Sequence, residues 1–245
     1  MPTVTPPAEP RTDGTTIGIP VRTMRTTAFV AGALYLLTFV TSIPTLALFA
    51  SVHDPAYVLG AGPDTGVHLG AVLNVLCALA GIGTAVALNP ILKRHNESLA
   101  IGFVASRVVE GALILLGVAS LLSVVTLRHS GADPTALTAG AGVLVAVHDW
   151  AFVLGQSLMP VVNALMLGTA LYRSRLVPRL IPALGLIGAP LLFASVIGTI
   201  FGAFPQSSIL ALFAGLPIAV WEFSLGVWLV VRGFRTSRPT PTPAL

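Results

Sequence analysis

The chain has 245 residues, of which 55% are hydrophobic and 9% are charged, and its formal net charge is +4. An ordinary soluble domain carries about 25% charged residues, so this composition excludes a water-soluble fold of this size and favours apolar side chains that face lipid. The 13 Lys and Arg residues do not cluster with aromatic residues, so a nucleic-acid-binding function has no support.

Both ends of the chain are rich in proline. Residues 1–25 contain no apolar stretch, whereas a signal peptide needs a hydrophobic core of roughly 7–15 residues. Near the other end, proline occupies every second position from Pro239 to Pro243, which is incompatible with a helix. We therefore predict disordered tails at residues 1–25 and 236–245 and a six-helix transmembrane domain over residues 26–235.

Six apolar stretches follow one another between the tails. Each meets the requirement of about 20 mostly apolar residues for one membrane crossing. The fourth is too long for a straight crossing, so we expect residues 137–147 to form a helical extension at or above the outer interface. Pro160 in the fourth stretch should kink its helix. The predicted spans 1 to 6 cover residues 27–50, 68–92, 99–127, 137–172, 180–203 and 209–231.

The Lys and Arg residues outside the spans lie almost entirely on one side of the predicted membrane. Arg128 alone is on the opposite side, and Arg107 is inside span 3. Because short loops rich in Lys and Arg stay in the cytoplasm, both termini are predicted to be cytoplasmic. The predicted fold is therefore an all-α antiparallel bundle of six transmembrane helices. The residues on the basic side are Arg11, Arg22, Arg25, Lys93, Arg94, Arg173, Arg175, Arg179, Arg232, Arg235 and Arg238.

Ionisable residues inside the predicted spans are the best indication of function, because each costs roughly 2.5–3.5 kcal/mol at a helix centre. Arg107 and Glu110 are three residues apart in span 3, so they share one face of the helix. Glu222 lies ten residues before Arg232, which places it on the order of 15 Å from the inner boundary of the membrane.

Histidine and aspartate residues occur at the predicted outer ends of the spans. His148 and Asp149 lie near the outer end of span 4, and His68 begins span 2. Together with Glu110 and Glu222 at mid-depth, they would form a polar pathway from an outer mouth, with Arg107 on its cytoplasmic side. Such a pathway suits proton-linked transport or a small-molecule binding cavity.

Two other functions are compatible with the same residues. In the first, Arg107 and the two glutamates neutralise each other and only fix helix packing, because pairing makes buried charge tolerable. In the second, the His and carboxylate residues serve an intramembrane metal enzyme, although no HExxH motif is present and consecutive residues such as His148 and Asp149 point about 100° apart. We predict no metal and no cofactor, and the residues favour a non-enzymatic function while leaving an intramembrane enzyme as the third alternative. The expected partners are the lipid bilayer and a small molecule or a proton, and the sequence indicates no oligomeric state.

Three segments of the chain carry a family resemblance. They are ALNPILKRHNESLA at residues 87–100 with SRVVE at 106–110, HDWAF at 148–152, and LYRSRLVPR at 171–179 followed by GLIGAP at 185–190. Together, from about Arg25 to Arg235, they resemble the bacterial membrane-protein family called domain of unknown function 4386. The resemblance implies a multi-pass protein of a bacterial cytoplasmic membrane and no particular activity. It also implies that Arg107, Glu110, His148 and Asp149 belong to the family pattern.

Overall fold

The computed structural model of the protein describes residues 21–206 and 208–235. All regular elements in these two ranges are helices, and six helices are long and apolar enough to cross a membrane. The predicted fold class and the number of spans are therefore confirmed, whereas residues 1–20 and 236–245 of the predicted tails lie outside the described residues. The helices of spans 1 to 6 are Val21–Ser42, Thr65–Leu92, Glu97–Arg128, Pro134–Ser174, Leu180–Ile200 and Ile209–Val231.

The six spans form a ring in chain order. Each span packs against the next, and span 6 returns to pack against span 1. The connections at residues 93–96 and 175–179 are short, which makes the spans that they join antiparallel neighbours. The distribution of Lys and Arg predicts that one end of the ring faces away from the cytoplasm. We call this end the outer end.

Spans 1 and 6 close the ring through a backbone contact near the inner end. A Cβ atom added to Gly32 of span 1 would lie 2.7 Å from the carbonyl oxygen of Gly226 in span 6, so only glycine allows this approach. The Arg25 guanidinium donates hydrogen bonds of 3.0 Å to the carbonyl oxygens of Val230 and Val231. These bonds satisfy carbonyls that the end of span 6 would otherwise leave unpaired.

Span 1 differs from its prediction at both ends. Its helix begins at Val21, so residues 21–25, which the sequence assigned to a disordered tail, are helical. No glycine or proline interrupts residues 21–31, which explains this early start. At the outer end the helix stops at Ser42 instead of continuing to residue 50, because proline at position 44 lacks an N–H and disfavours a helical residue before it. A short helix, Thr45–Leu48, and a 3₁₀ turn, Ala50–His53, follow.

Span 4 is a single helix of 41 residues with two wider turns. Segments Val153–Leu158 and Ala164–Gly168 have π-helical hydrogen bonding. The first of them lies immediately before Pro160, whose missing N–H was expected to distort this helix. Such π-helical turns are frequent at functional sites, and three residues of the first one, Val153, Gln156 and Ser157, line the cavity described below.

A cluster of polar side chains, which we call the outer latch, ties the connection between spans 1 and 2 to the end of span 3. Arg128 donates hydrogen bonds to the carbonyl oxygens of Gly60 and Gly62 at 2.8 and 2.7 Å. The outer latch holds this connection against the ring, and the connection contains a short helix, Pro55–Val58. Its members are Tyr57, Asp64, Arg128 and His129.

The largest apolar cluster fills the inner half of the ring. Tyr35, Phe103 and Trp221 are its largest fully buried side chains. They come from spans 1, 3 and 6, so apolar packing seals the ring from its inner end up to about its middle. A second cluster, which includes Phe49 and Leu121, packs beneath the outer connection.

Candidate functional site

The centre of the ring holds three charged side chains, Arg107, Glu110 and Glu222, which we call the charged triad. Nη1 of Arg107 donates to the two carboxylate oxygens of Glu110 at 3.1 and 3.0 Å. Nη2 of Arg107 donates to Oε1 of Glu222 at 2.7 Å. Arg107 and Glu110 are buried, and Glu222 is partly buried. The guanidinium therefore bridges carboxylates on two different spans.

Two uncharged polar residues extend the charged triad to span 4. Nδ2 of Asn163 donates to Oε2 of Glu110 at 2.7 Å, and Oγ of Ser106 donates to Oδ1 of Asn163 at 2.5 Å. Asn163 is completely buried, so its amide has no competing water. The network orients Glu110 from two sides. The sequence showed only that an asparagine interrupts an apolar span, which did not indicate its partner.

Arg107 also contacts aromatic rings at the top of the inner apolar cluster. The carbon Cζ of its guanidinium lies 5.1 Å from the ring centroid of Tyr35 and 5.7 Å from that of Phe103. Both distances are within the range of cation–π attraction. The guanidinium thus lies at the boundary between the sealed inner half and the polar centre of the ring.

A cavity of about 870 Å³ extends from the outer end of the ring to the charged triad. His53, Asp149 and Gln206 line its outer part, and Arg107, Glu110 and Glu222 line its deepest part. Every span contributes to the wall. Examples, one from each span, are Thr38, Asn74, Arg107, His148, Leu192 and Ile218.

The mouth of the cavity contains two histidines from different parts of the chain. Nε2 of His53 lies 3.1 Å from Oδ1 of Asp149, and Nδ1 of His148 lies 3.2 Å from the carbonyl oxygen of Gly117. His148 and Asp149 thus turn to different neighbours, as their consecutive positions in a helix require. The sequence did not single out His53, because a histidine near the end of a span is usually solvated.

His68 does not reach this cavity. It is exposed at the outer start of span 2 and does not line the cavity wall. Its predicted place at the mouth is taken by His53, because the helix turns His68 away from the interior of the ring. The structure brings the other five predicted residues, Arg107, Glu110, Glu222, His148 and Asp149, to one cavity.

The residues at the site do not form a metal centre in the part of the chain that the structure describes. No group of three or more His, Cys, Asp or Glu side chains in residues 21–206 and 208–235 is close enough to hold an ion. The geometry therefore gives the metal-enzyme alternative no support.

Comparison with known proteins gives one match. The family model described as "Domain of unknown function (DUF4386)" matches residues 30–233, a range that contains spans 2 to 6, more than half of span 1 and every residue of the charged triad. No curated protein and no solved structure matches the chain.

Proposed function

Because the chain belongs to the DUF4386 family, whose function is unknown, its activity has to be inferred from the site, and we propose that it binds and transports a small organic cation in exchange for protons. The observation that carries this proposal is the cavity that leads from the outer end of the ring to the charged triad. Its volume of about 870 Å³ lies within the range of about 300–1,000 Å³ of small-molecule sites.

The charges on the cavity wall favour a cationic ligand. Glu110, Glu222 and Asp149 contribute carboxylates, and Arg107 is the one Arg or Lys residue among the described residues that line the cavity. A cleft lined mainly by one sign of charge raises the local concentration of the opposite sign. Glu110 and Glu222 share the single guanidinium of Arg107, so a positively charged ligand would also compensate the second of these carboxylates.

The shape of the ring fits one state of a transporter. The cavity is open towards the outer end, and Tyr35, Phe103 and Trp221 close the inner half. Transporters bind their substrates near the bilayer midplane and expose the site alternately to each side. The chain in this conformation would receive its ligand from the outer side.

A carboxylate at the bottom of the cavity can couple the ligand to protons. An organic cation and a proton each neutralise the same Glu222 or Glu110 carboxylate, so binding of one disfavours binding of the other. Intramembrane carboxylates serve as proton carriers in pumps and transporters for this reason. The proposed exchange requires no further cofactor.

Ethidium, a fluorescent organic cation, tests the proposal in proteoliposomes with an imposed pH gradient. The wild-type protein is expected to transport ethidium in the direction opposite to the flow of protons down their gradient. Glu222→Gln keeps the side-chain size and an acceptor for Arg107, but it cannot carry a proton, so ethidium movement should no longer respond to the gradient. Glu97→Gln changes an exposed carboxylate at the inner end of span 3 and serves as the control. If ethidium transport by Glu222→Gln depended on the pH gradient as strongly as transport by the wild type does, the proposal would be wrong.

The hydrogen bonds of Arg107 favour one alternative, in which the charged triad only holds spans 3 and 6 together. Buried ion pairs do fix helix register in some proteins. In that case the wild type would not bind ethidium, and the combined change Glu110→Gln with Glu222→Gln would reduce the amount of folded protein in the membrane without affecting any transport.

A further inference from the structure

Spans 1 and 6 separate in the outer half of the ring. The hydrogen bonds and ring contacts between them extend from Arg25 at the inner end to the Phe39–Phe223 pair, whose ring centroids are 5.6 Å apart. Beyond Phe39 the helix of span 1 ends at Ser42, and its continuation, Thr45–Leu48, packs against span 2. The break before Pro44 therefore leaves the outer turns of span 6 without a neighbour from span 1 at this position.

The cavity opens sideways through this gap. Leu46 of the short helix Thr45–Leu48 and Leu212 and Leu216 of span 6 all line the cavity, yet they are 66%, 71% and 51% exposed. A side chain that borders a cavity and is also exposed to this extent lies at the rim of an opening. We call this rim the lateral portal.

The lateral portal lies at the depth of the hydrocarbon. Span 6 has 23 residues, so its centre is near residue 220, and Leu216 and Leu212 are about 6 and 12 Å further out at 1.5 Å per residue. The hydrocarbon core extends about 15 Å from its centre. A molecule that passes between these leucines therefore enters from the outer lipid leaflet and does not need to enter from water.

One residue of the cavity wall carries a buried acceptor that lacks a donor. Asn74 of span 2 is only 2% exposed and lines the cavity, and its Oδ1 atom has no hydrogen-bond partner in the described part of the chain. A buried acceptor without a partner is costly. Asn74 is seven residues outward from Gly81, which adjoins the guanidinium of Arg107, so it lies about 10 Å above the charged triad.

We infer that the ligand is an amphipathic cation, such as a long-chain alkylammonium, that enters through the lateral portal. Its ammonium group donates to Oδ1 of Asn74 and is attracted by the carboxylates of Glu110 and Glu222, and its hydrocarbon tail lies between Leu46, Leu212 and Leu216. This inference rests on the proposed function, because it specifies the class of cation that the same cavity binds.

Native mass spectrometry of the protein in lipid nanodiscs tests the chemical class with three probes. Dodecylammonium has the charge and the tail, butylammonium has the charge alone, and dodecanoate has the tail with the opposite charge. We expect dodecylammonium to bind at least tenfold more tightly than either of the others. Asn74→Leu should weaken dodecylammonium binding about tenfold, which corresponds to one hydrogen bond to a charged group.

Tryptophan substitutions test the portal. Leu216→Trp narrows the rim and should slow association of dodecylammonium. Phe213→Trp is the matched control, because Phe213 is exposed on the same helix and does not line the cavity. Leu212→Trp, on the same rim, repeats the test if Leu216→Trp does not fold.

The outcomes separate this inference from the proposed function. If both amines bind with equal affinity, or dodecanoate binds as tightly as dodecylammonium, or both rim variants behave like Phe213→Trp, the inference is wrong. The proposed function would nevertheless stand if butylammonium binding still depended on Glu222. If neither amine binds the wild-type protein, both proposals fail.

Discussion

At the scale of single residues, Arg107 has the largest number of strong interactions in the centre of the protein. Its planar guanidinium donates to Glu110 and Glu222 in two directions at once. A lysine ammonium is a point charge with no such fork and cannot reproduce this geometry. The two carboxylates are therefore tolerated in the ring because one side chain pairs with both.

Loss of Arg107 should be strongly destabilising. Arg107→Met leaves two carboxylates without a partner at mid-depth, and we expect a loss of about 3–5 kcal/mol of unfolding free energy, which is typical of breaking a buried pair. Arg107→Lys should have a smaller effect. Reversible unfolding in mixed detergent micelles measures both changes.

The control for this prediction is Arg94→Met, which removes an exposed arginine from the connection between spans 2 and 3. Adding Glu110→Gln and Glu222→Gln to Arg107→Met should restore much of the lost stability, because no unpaired charge remains. If Arg107→Met and Arg94→Met were equally stable, Arg107 would not have this role.

Asp64 of the outer latch should make stability depend on pH in the acidic range. Its pKa lies below the ordinary value of 3.8, mainly because of the hydrogen bond from His129 and then that from the Tyr57 hydroxyl. The native state therefore prefers the ionised form. The contribution is complete above about pH 5, where Asp64 is ionised in the native and the unfolded chain, and it is lost as pH falls through the lowered native pKa.

Thermal unfolding between pH 2 and pH 6 checks this prediction. The wild type should lose stability below about pH 5, and Asp64→Asn should be less stable at pH 6 but lose less on acidification. Asp133→Asn is a poor control because the Asp133 carboxylate caps span 4, so Glu97→Gln is preferable. Equal acid sensitivity of Asp64→Asn and the wild type would argue against a role for this carboxylate.

At the scale of helices, spans 1 and 6 contact each other closely at the inner end and separate towards the outer end. Gly32 and Gly226 allow the close approach, and the break before Pro44 produces the separation. Both features depend on backbone geometry, because glycine has no side chain and proline has no backbone N–H. Local backbone chemistry thus places the lateral portal in the outer half of the ring.

Gly32→Ala should loosen this contact. The new methyl group would lie within 3 Å of the Gly226 carbonyl oxygen, Leu229 and Val230, so the helices have to move apart, at a cost of about 1–3 kcal/mol. Gly142→Ala is the matched control, because nothing lies within 4 Å of its added Cβ. Thermal unfolding measures both variants, and equal stability would show that the contact adapts without cost.

Some features of span 4 follow from its sequence and others do not. Its apolar length and the disturbance near Pro160 follow from the sequence, because both depend on local backbone chemistry. The π-helical turns at Val153–Leu158 and Ala164–Gly168 were not predictable, since no residue pattern distinguishes them from an ordinary α-helix. They arise where packing against spans 3 and 5 selects a different hydrogen-bonding register.

At the scale of the whole molecule, the outer half of the ring contains an accessible cavity, whereas apolar packing seals the inner half. Cys77 is the chain's one cysteine, so a Cys77→Ala background allows single cysteines to report on access. Ser42 and Ser157 line the cavity, and Ser174 ends span 4 at the inner end of the ring.

We expect an impermeant thiol reagent added outside intact cells to modify Ser42→Cys and Ser157→Cys but not Ser174→Cys. Ser174→Cys should react only after the membrane is permeabilised. The prediction follows from the distribution of Lys and Arg together with the side on which the cavity opens. Labelling measured by a mass shift on gels checks it, and labelling of Ser174→Cys alone in intact cells would reverse the predicted orientation.

The sequence by itself determined the membrane location, the six spans and the presence of charged residues at mid-depth. These properties depend on the transfer of each segment into lipid, which is set by the residues of that segment. The predicted orientation has the same local origin, because it depends on charges in short loops.

Only the tertiary structure decided which polar side chains meet. It brought His53 and not His68 to the mouth, joined Asn163 to Glu110, and placed Asn74 and the lateral portal on the same cavity. Successive residues of a helix point about 100° apart, so the partners of a side chain depend on how each helix is rotated and where it breaks. Packing between all six spans sets those rotations, and no single stretch of the chain contains that information.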